Sequence, residues 1–315
     1  MIIGVEYVGR LGNQLFTYAF MRMLMQHIPD KQITIVANFL RTRDNTNGVT
    51  DALKDFHVLP YHTKNENLVF SMGNWRQRII LSLYEVLFRA SLSRNSVLID
   101  RFLQRCLSHN GIYISDNTET IHEVKDVRTN QLFIRGFFQE KRYLDKIRPI
   151  LMEELTPRFP IMDSNKSFYE ILSQPNSVCV HVRRGDFLND RNVKNFYVCT
   201  PEYYNQAINQ ICQRVENPSF FFFSDDIDWV KDNIVTGDIK CYYEPSGSPV
   251  WETFRMMYSC HHFIISNSTF SWWAQYLGRR DDKIVISPSN WYANPAWHSS
   301  LVDSAFITID TNFLR

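Results

Sequence analysis

The chain has 315 residues, 44% hydrophobic and 21% charged, an ordinary globular balance and length enough for two domains with a core each. Its 34 Lys and Arg nearly cancel 33 Asp and Glu, leaving a formal charge of +1; nucleic acid is therefore not an expected partner, and any bound anion must meet a local cluster of cations. The six cysteines (Cys106, Cys179, Cys199, Cys212, Cys241 and Cys260) show neither a CxxC pair nor zinc-ligand spacing, so the expectation is a reduced, cytoplasmic setting, with two disulfides as the alternative.

Met1-Ile2-Ile3-Gly4-Val5-Glu6 lacks the basic start and unbroken apolar run of a secretory signal. No stretch is apolar for long enough to cross a bilayer. Residues 2–8 predict a buried first strand. The turn Gly9-Arg10-Leu11-Gly12-Asn13-Gln14 then feeds a helix over 14–27, with Leu15, Tyr18, Ala19, Arg22 and Met23 at helical spacing. Residues 33–38 predict a second strand. The segment 74–109 predicts helix and is lopsided in charge: Arg76, Arg78, Arg89, Arg94, Arg101 and Arg105 stand against Glu85 and Asp100. Two readings stay open there, a packed helix pair with a solvated basic face and a peripheral surface that leans on anionic lipid at the inner face of a membrane.

A strand at 132–135 leads to Gly136-Phe137-Phe138-Gln139 and a helix over 140–155. Pro157, Pro160 and Asp163-Ser164-Asn165 mark a boundary between a first domain, 1–163, and a second, 164–315, whose last residues are expected to pack back on the first. Strands at 177–182, 219–223, 240–243, 263–266 and 283–287 then alternate with helices starting near Pro201 and spanning 227–233, 251–260 and 269–277. Such a rhythm implies parallel sheets in right-handed crossovers. The fold expected is α/β, two Rossmann-like parallel-sheet domains facing a cleft.

Three motifs follow strands. Val180-His181-Val182-Arg183-Arg184-Gly185-Asp186 sets adjacent guanidinium groups, which match phosphate oxygens bidentately, where doubly wound sheets bind ligands; an internal Arg–Asp pair in a surface loop is the alternative. Phe220-Phe221-Phe222-Phe223-Ser224-Asp225-Asp226-Ile227-Asp228-Trp229 ends a buried strand in carboxylates, suited to a ribose hydroxyl, a guanine edge or a helix cap. Asp226 and Asp228 also spell DxD, which keeps a metal-dependent sugar-nucleotide transferase open. Ile264-Ile265-Ser266-Asn267-Ser268-Thr269-Phe270-Ser271-Trp272-Trp273 offers a helix amino end to an anion, or simply an N-cap. Neither GxxxxGK[ST] nor a GxGxxG after a strand occurs, so a P-loop kinase and an NAD enzyme are not expected.

Taken in order, Gly9-Arg10-Leu11-Gly12-Asn13-Gln14-Leu15-Phe16, Gly136-Phe137-Phe138-Gln139, residues 181–186, Thr200-Pro201-Glu202-Tyr203-Tyr204, residues 223–229 and residues 267–273 resemble the bacterial α-1,2-fucosyltransferases, glycosyltransferase family 11, over nearly the whole length. That resemblance implies a GT-B fold, GDP-fucose as donor with no further cofactor, inversion, and no metal. It implies Arg183 on the β-phosphate with Arg184 assisting; His181, Ser224, Asp226 and Asn267 near the nucleotide; and Ser268, Thr269 and Phe270 lining the phosphate pocket. Arg10, Asn13 and Gln14 are expected on the substrate side, with Asn13 at the reaction centre. Asp186 is the first candidate general base and Asp190 the second. The acceptor implied is the 2-hydroxyl of a galactose-terminated glycan in a surface polysaccharide, built on a lipid carrier. A non-catalytic carbohydrate-binding protein is the alternative from another class.

Overall fold

The computed structural model describes residues 1–28, 32–42, 50–89, 97–115, 129–190, 192–295 and 297–311. The chain forms two compact units, Met1–Lys54 with Val58–Leu155, and Asp55–His57 with Thr156–Arg315. The divide thus falls at Leu155/Thr156, before the boundary expected at 163. It also sends three residues of the first half, Asp55–His57, into the second unit.

The first unit runs β1 (Ile2–Val8), α1 (Leu11–Met25), β2 (Thr34–Arg41), β3 (His62–Thr63), α2 (Leu68–Met72), α3 (Trp75–Arg89), α4 (Val97–His109), β4 (Ile112–Ser115), β5 (Gln131–Gly136), α5 (Lys141–Asp145) and α6 (Arg148–Glu154). Its five described strands are parallel in the order β3-β2-β1-β5-β4. β1 lies at the centre, and every residue from Ile3 to Tyr7 is buried, as a strand covered on both faces requires. Gly9, at φ +69°, turns the chain sharply, so α1 starts at Leu11 rather than 14. Arg22 and Tyr18 on α1 close on Glu154 of α6, with Arg22 Nη2 at 2.8 Å and Tyr18 Oη at 2.6 Å. Of the basic 74–109 segment, residues 90–96 lie outside the described residues.

The second unit runs α7 (Lys166–Leu172), β6 (Ser177–Val182), α8 (Val193–Phe196), α9 (Pro201–Cys212), β7 (Ser219–Ser224), α10 (Ile227–Asn233), β8 (Lys240–Tyr243), α11 (Val250–Ser259), β9 (His262–Ile264), α12 (Thr269–Leu277), β10 (Val285–Pro288) and β11 (Ile307–Ile309). Six parallel strands stand in the order β11-β10-β9-β6-β7-β8. The core gathers Val178, Val180, Phe220, Phe222, Tyr203, Tyr204 and Ile208. Residues 307–309 add β11 to the edge of the second unit's sheet; residues 312–315, the last of the chain, lie outside the described residues.

Candidate functional site

Strand order decides where a site can form in the second unit. β7 and β8 are laid on one side of β6, whereas β9, β10 and β11 are laid on the other. Loops leaving β6 and β9 therefore part to opposite faces, and a crevice opens beyond their carboxyl ends. Arg183 is the first residue after β6, and Ser266 the second after β9.

Arg183 is gripped from two sides. Its Nη1 stands 2.6 Å from Asp225 Oδ2, and its Nη2 donates to Asp186 Oδ1. Arg184 donates its backbone N–H to Asp225 Oδ1 at 2.9 Å and its Nε to Asp226 Oδ2 at 3.0 Å, while its guanidinium lies 3.6 Å over the Trp229 ring. Asp225 thus serves both arginines. It can do so because position 185 is glycine: a Cβ there would stand 2.5 Å from Asp225 Oδ2. A guanidinium carries five N–H groups, so these carboxylates orient each arginine without exhausting it.

Asp226 plays two parts, pairing with Arg184 and capping α10, where its Oδ1 accepts from Trp229 N at 3.2 Å. Ser224 seats it, its Oγ accepting from Asp226 N at 3.0 Å. Asp228, the other carboxylate of the DxD triplet, is 97% exposed and 3.8 Å from Lys231. The two carboxylates of DxD therefore share no partner. Among the described residues no group of three or more His, Cys, Asp or Glu is arranged to hold a metal.

His181 is buried, with Nδ1 2.9 Å from Ser266 Oγ. Burial, and after it the charge of Arg183, push its pKa down to about 3, so the ring is neutral at ordinary pH. Beyond β9, Ser268 N donates to Ser266 O at 2.7 Å and Phe270 N donates to Ser268 Oγ at 3.3 Å. The second bond is the N-cap of α12, and the first closes the turn before it. Thr269 and Phe270 are half-buried at the start of α12, and the Phe270 ring lies 5.7 Å from that of His181.

Two of the expected site residues are engaged with backbone groups. Asn267 is buried and donates Nδ2 to Phe196 O and Trp291 O, each at 2.9 Å, while its Oδ1 accepts from Cys199 Sγ at 3.6 Å. Gln14, fully buried in the first unit, donates Nε2 to Gly9 O and Thr50 O at 3.0 Å each and accepts from Ala52 N at 3.1 Å. Both satisfy backbone groups that burial would otherwise leave orphaned, and neither offers its amide N–H groups to a sugar or nucleotide. Asp186 is occupied by Arg183, whereas Asp190 is exposed on the same loop. In the first unit, Arg10 precedes α1 and is exposed. Asn13 accepts from Gln139 Nε2 at 3.0 Å, which joins the Gly9–Gln14 turn to the Gly136-Phe137-Phe138-Gln139 motif. Asp225 and Trp229 were not among the expected site residues; both stand inside the quoted second motif, but nothing in the linear pattern says they reach the β6 loop.

The pattern of this chain matches "Glycosyl transferase family 11" over residues 2–307. The chain belongs to glycosyl transferase family 11. It is similar to the "O-antigen biosynthesis glycosyltransferase WbnK" of Escherichia coli, at 24% identity over 90% of this chain and 93% of that protein. It is 36% identical over 163 residues to the "Alpha-1,2-colitosyltransferase" of Escherichia coli, covering 50% of this chain and 55% of that one. It is 29% identical to human "Galactoside alpha-(1,2)-fucosyltransferase 1", covering 50% of this chain and 46% of that one. The chain thus spans about half the length of the last two. Among solved structures it is similar to the NodZ alpha-1,6-fucosyltransferase soaked with GDP-fucose, with TM-score 0.50 at 14% identity, over 91% of this chain and 94% of that one. The family 11 chain therefore has the GT-B type of α/β fold, a parallel sheet in each unit.

Proposed function

We propose that this family 11 glycosyltransferase moves L-fucose from GDP-β-L-fucose to the 2-hydroxyl of a β-galactoside, with inversion and without a divalent ion. The observation that supports it most is the paired grip on Arg183 and Arg184 at the switch point of the second sheet. Guanidinium groups held in place before the reaction are suited to an anion that gains charge during it. The α-1,2 linkage is supported by its appearance in the names of two relatives.

In the reaction an acceptor oxygen bonds to C1 of the fucosyl group as the bond from C1 to the β-phosphate oxygen breaks. The electron pair leaves with GDP, and the acceptor proton goes to a base. Arg183 meets the developing charge, with Arg184 and the amino end of α12 beside it. His181, neutral, and Asp226 lie on the nucleotide side. Asp186, engaged by Arg183, acts as a positioning group, which leaves Asp190 as the carboxylate on that loop to take the proton. Arg10 and Asn13 are assigned to the acceptor on the strength of their motif, and the acceptor is a galactose-terminated glycan on a lipid carrier.

Colitose in place of fucose is a second reading, favoured by the stretch of 36% identity to the colitosyltransferase. Calorimetric titration of GDP in EDTA, followed by NMR of the product from a galactoside and each GDP-sugar, tests all of this. Expected are GDP binding without metal, an α-1,2 product, and a loss of about 100- to 1000-fold in rate for Arg183→Ala. Binding that needs Mn²⁺, or Arg183→Ala turnover within about tenfold of wild type, overturns the assignment.

A further inference from the structure

Outside the site, the least ordinary surface of the molecule lies on α3 and α4. A globular helix normally turns one apolar stripe inward and a polar face outward. α3 does the first: Gln77, Leu81 and Tyr84 are at most 2% exposed, and Leu81 and Tyr84 share an apolar cluster with Leu103 and Leu107 of α4. It does not do the second. Trp75, Ile79, Leu83 and Val86 are 65%, 58%, 54% and 63% exposed. At about 100° per residue those four positions form one stripe, opposite the buried one. α4 repeats the pattern on a shorter scale, with Leu103 and Leu107 buried and Phe102 66% exposed.

Among the described residues, the charged groups that flank the stripe are cations. Arg76 and Arg78 are exposed and fall on either side of it, and Arg105 is exposed on α4. The Arg76 guanidinium lies 5.3 Å from the Trp75 ring centre. The acid of α3, Glu85, is turned to Arg135, with Oε1 3.0 Å from Nη1. An apolar stripe carrying Trp, Ile, Leu and Phe, bordered by arginines, is the pattern of a helix lying in a membrane interface. The rings and aliphatic chains enter the acyl boundary while the guanidinium groups remain with anionic headgroups. Charge decides against a second copy as the occupant: a two-fold pairing of this face with itself would set its arginines against their own copies.

We infer that the outer faces of α3 and α4 are a docking surface for an anionic phospholipid bilayer, on which the protein lies without crossing it. No described helix is long and apolar enough to span a membrane. The inference rests on the surface alone and not on the sugar chemistry proposed above.

Co-sedimentation of the full chain with vesicles tests it, using phosphatidylcholine alone and phosphatidylcholine with added phosphatidylglycerol. Binding to the anionic vesicles is expected to exceed binding to the neutral ones by on the order of tenfold or more, and to fall with added salt. The double variants Ile79→Ser with Leu83→Ser, and Arg76→Glu with Arg78→Glu, are each expected to abolish pelleting with wild-type GDP affinity retained. Wild-type fluorescence is expected to shift to the blue on anionic vesicles, and Trp75→Phe to lose most of that shift. Equal pelleting with both vesicles, pelleting with neither, or pelleting that survives both double variants overturns the inference. So does sedimentation velocity showing a self-association that Leu83→Ser dissolves, which would make a second copy the occupant.

Discussion

His181 stands two residues before Arg183, where a second positive charge would compete for the carboxylates that hold the loop. Burial removes that charge by taking the ring down to a pKa of about 3. The same desolvation takes His262 down to about 4 and lifts Glu244, a carboxyl, up to about 7. These shifts have consequences of opposite sign. Between about 3 and the ordinary 6.5, the unfolded chain holds a proton on His181 that the folded chain lacks, so this contribution to stability is present above 6.5 and lost as pH falls. His262 acts in the same sense. Glu244 acts against both: between 4.5 and about 7 the folded chain keeps a proton that the unfolded chain gives up, so its contribution declines as pH rises. Melting temperatures taken from about pH 7 down to about pH 5 should therefore fall less steeply in His181→Gln than in wild type, and more steeply in Glu244→Gln. Parallel curves for the three proteins would show that these groups titrate normally.

At the scale of elements, β6, α10, β8 and α12 occupy the bounds that the residue pattern predicts. The two helices are marked at their starts, α10 by capping Asp226 and α12 by capping Ser268. The edge strand β3 has two exposed residues and no alternation to betray it, and β4 and β11 are nearly as short. The arginines were legible as a pair because they stand together after a strand. Their partner Asp225 was not, because it arrives through the β6–β7 pairing, in which Val182 lies opposite Ser224. Nor can a sequence say whether an amide faces a ligand or a buried carbonyl, as Asn267 and Gln14 illustrate. Asn267→Ala would leave the Phe196 and Trp291 carbonyls without this donor, at a cost of about 1–3 kcal/mol for each left buried and unsatisfied. Denaturant unfolding should register a loss on that order, with GDP affinity within about tenfold of wild type. Intact stability with GDP binding abolished would instead make Asn267 a nucleotide ligand.

At the scale of the whole molecule, the two units do not divide the sequence cleanly. Asp55–His57 belongs to the second unit although the first continues on either side of it. Phe56 is the reason. Its ring is fully buried 5.9 Å from that of Phe254, and its backbone bridges to Pro157. Phe254 in turn stands 5.3 Å from Phe270, whose ring is 5.7 Å from His181. A row of rings thus runs from a crossing loop in the first half of the sequence to the candidate nucleotide site. Truncating a buried Phe to Ala costs about 3–5 kcal/mol, and each kcal/mol moves the melting point of a unit this size by about 2–4 °C. On the proposed reading, scanning calorimetry of the full chain identifies the second unit as the transition that GDP raises, because a ligand stabilises the part that binds it. In Phe56→Ala that transition should fall by on the order of 10 °C and any other should hold its place. A fragment starting at Thr156 lacks Phe56 altogether, so it should melt no higher than the variant does. If Phe56→Ala instead lowers only a transition that GDP leaves alone, residue 56 belongs with the first unit and the row of rings does not support the site.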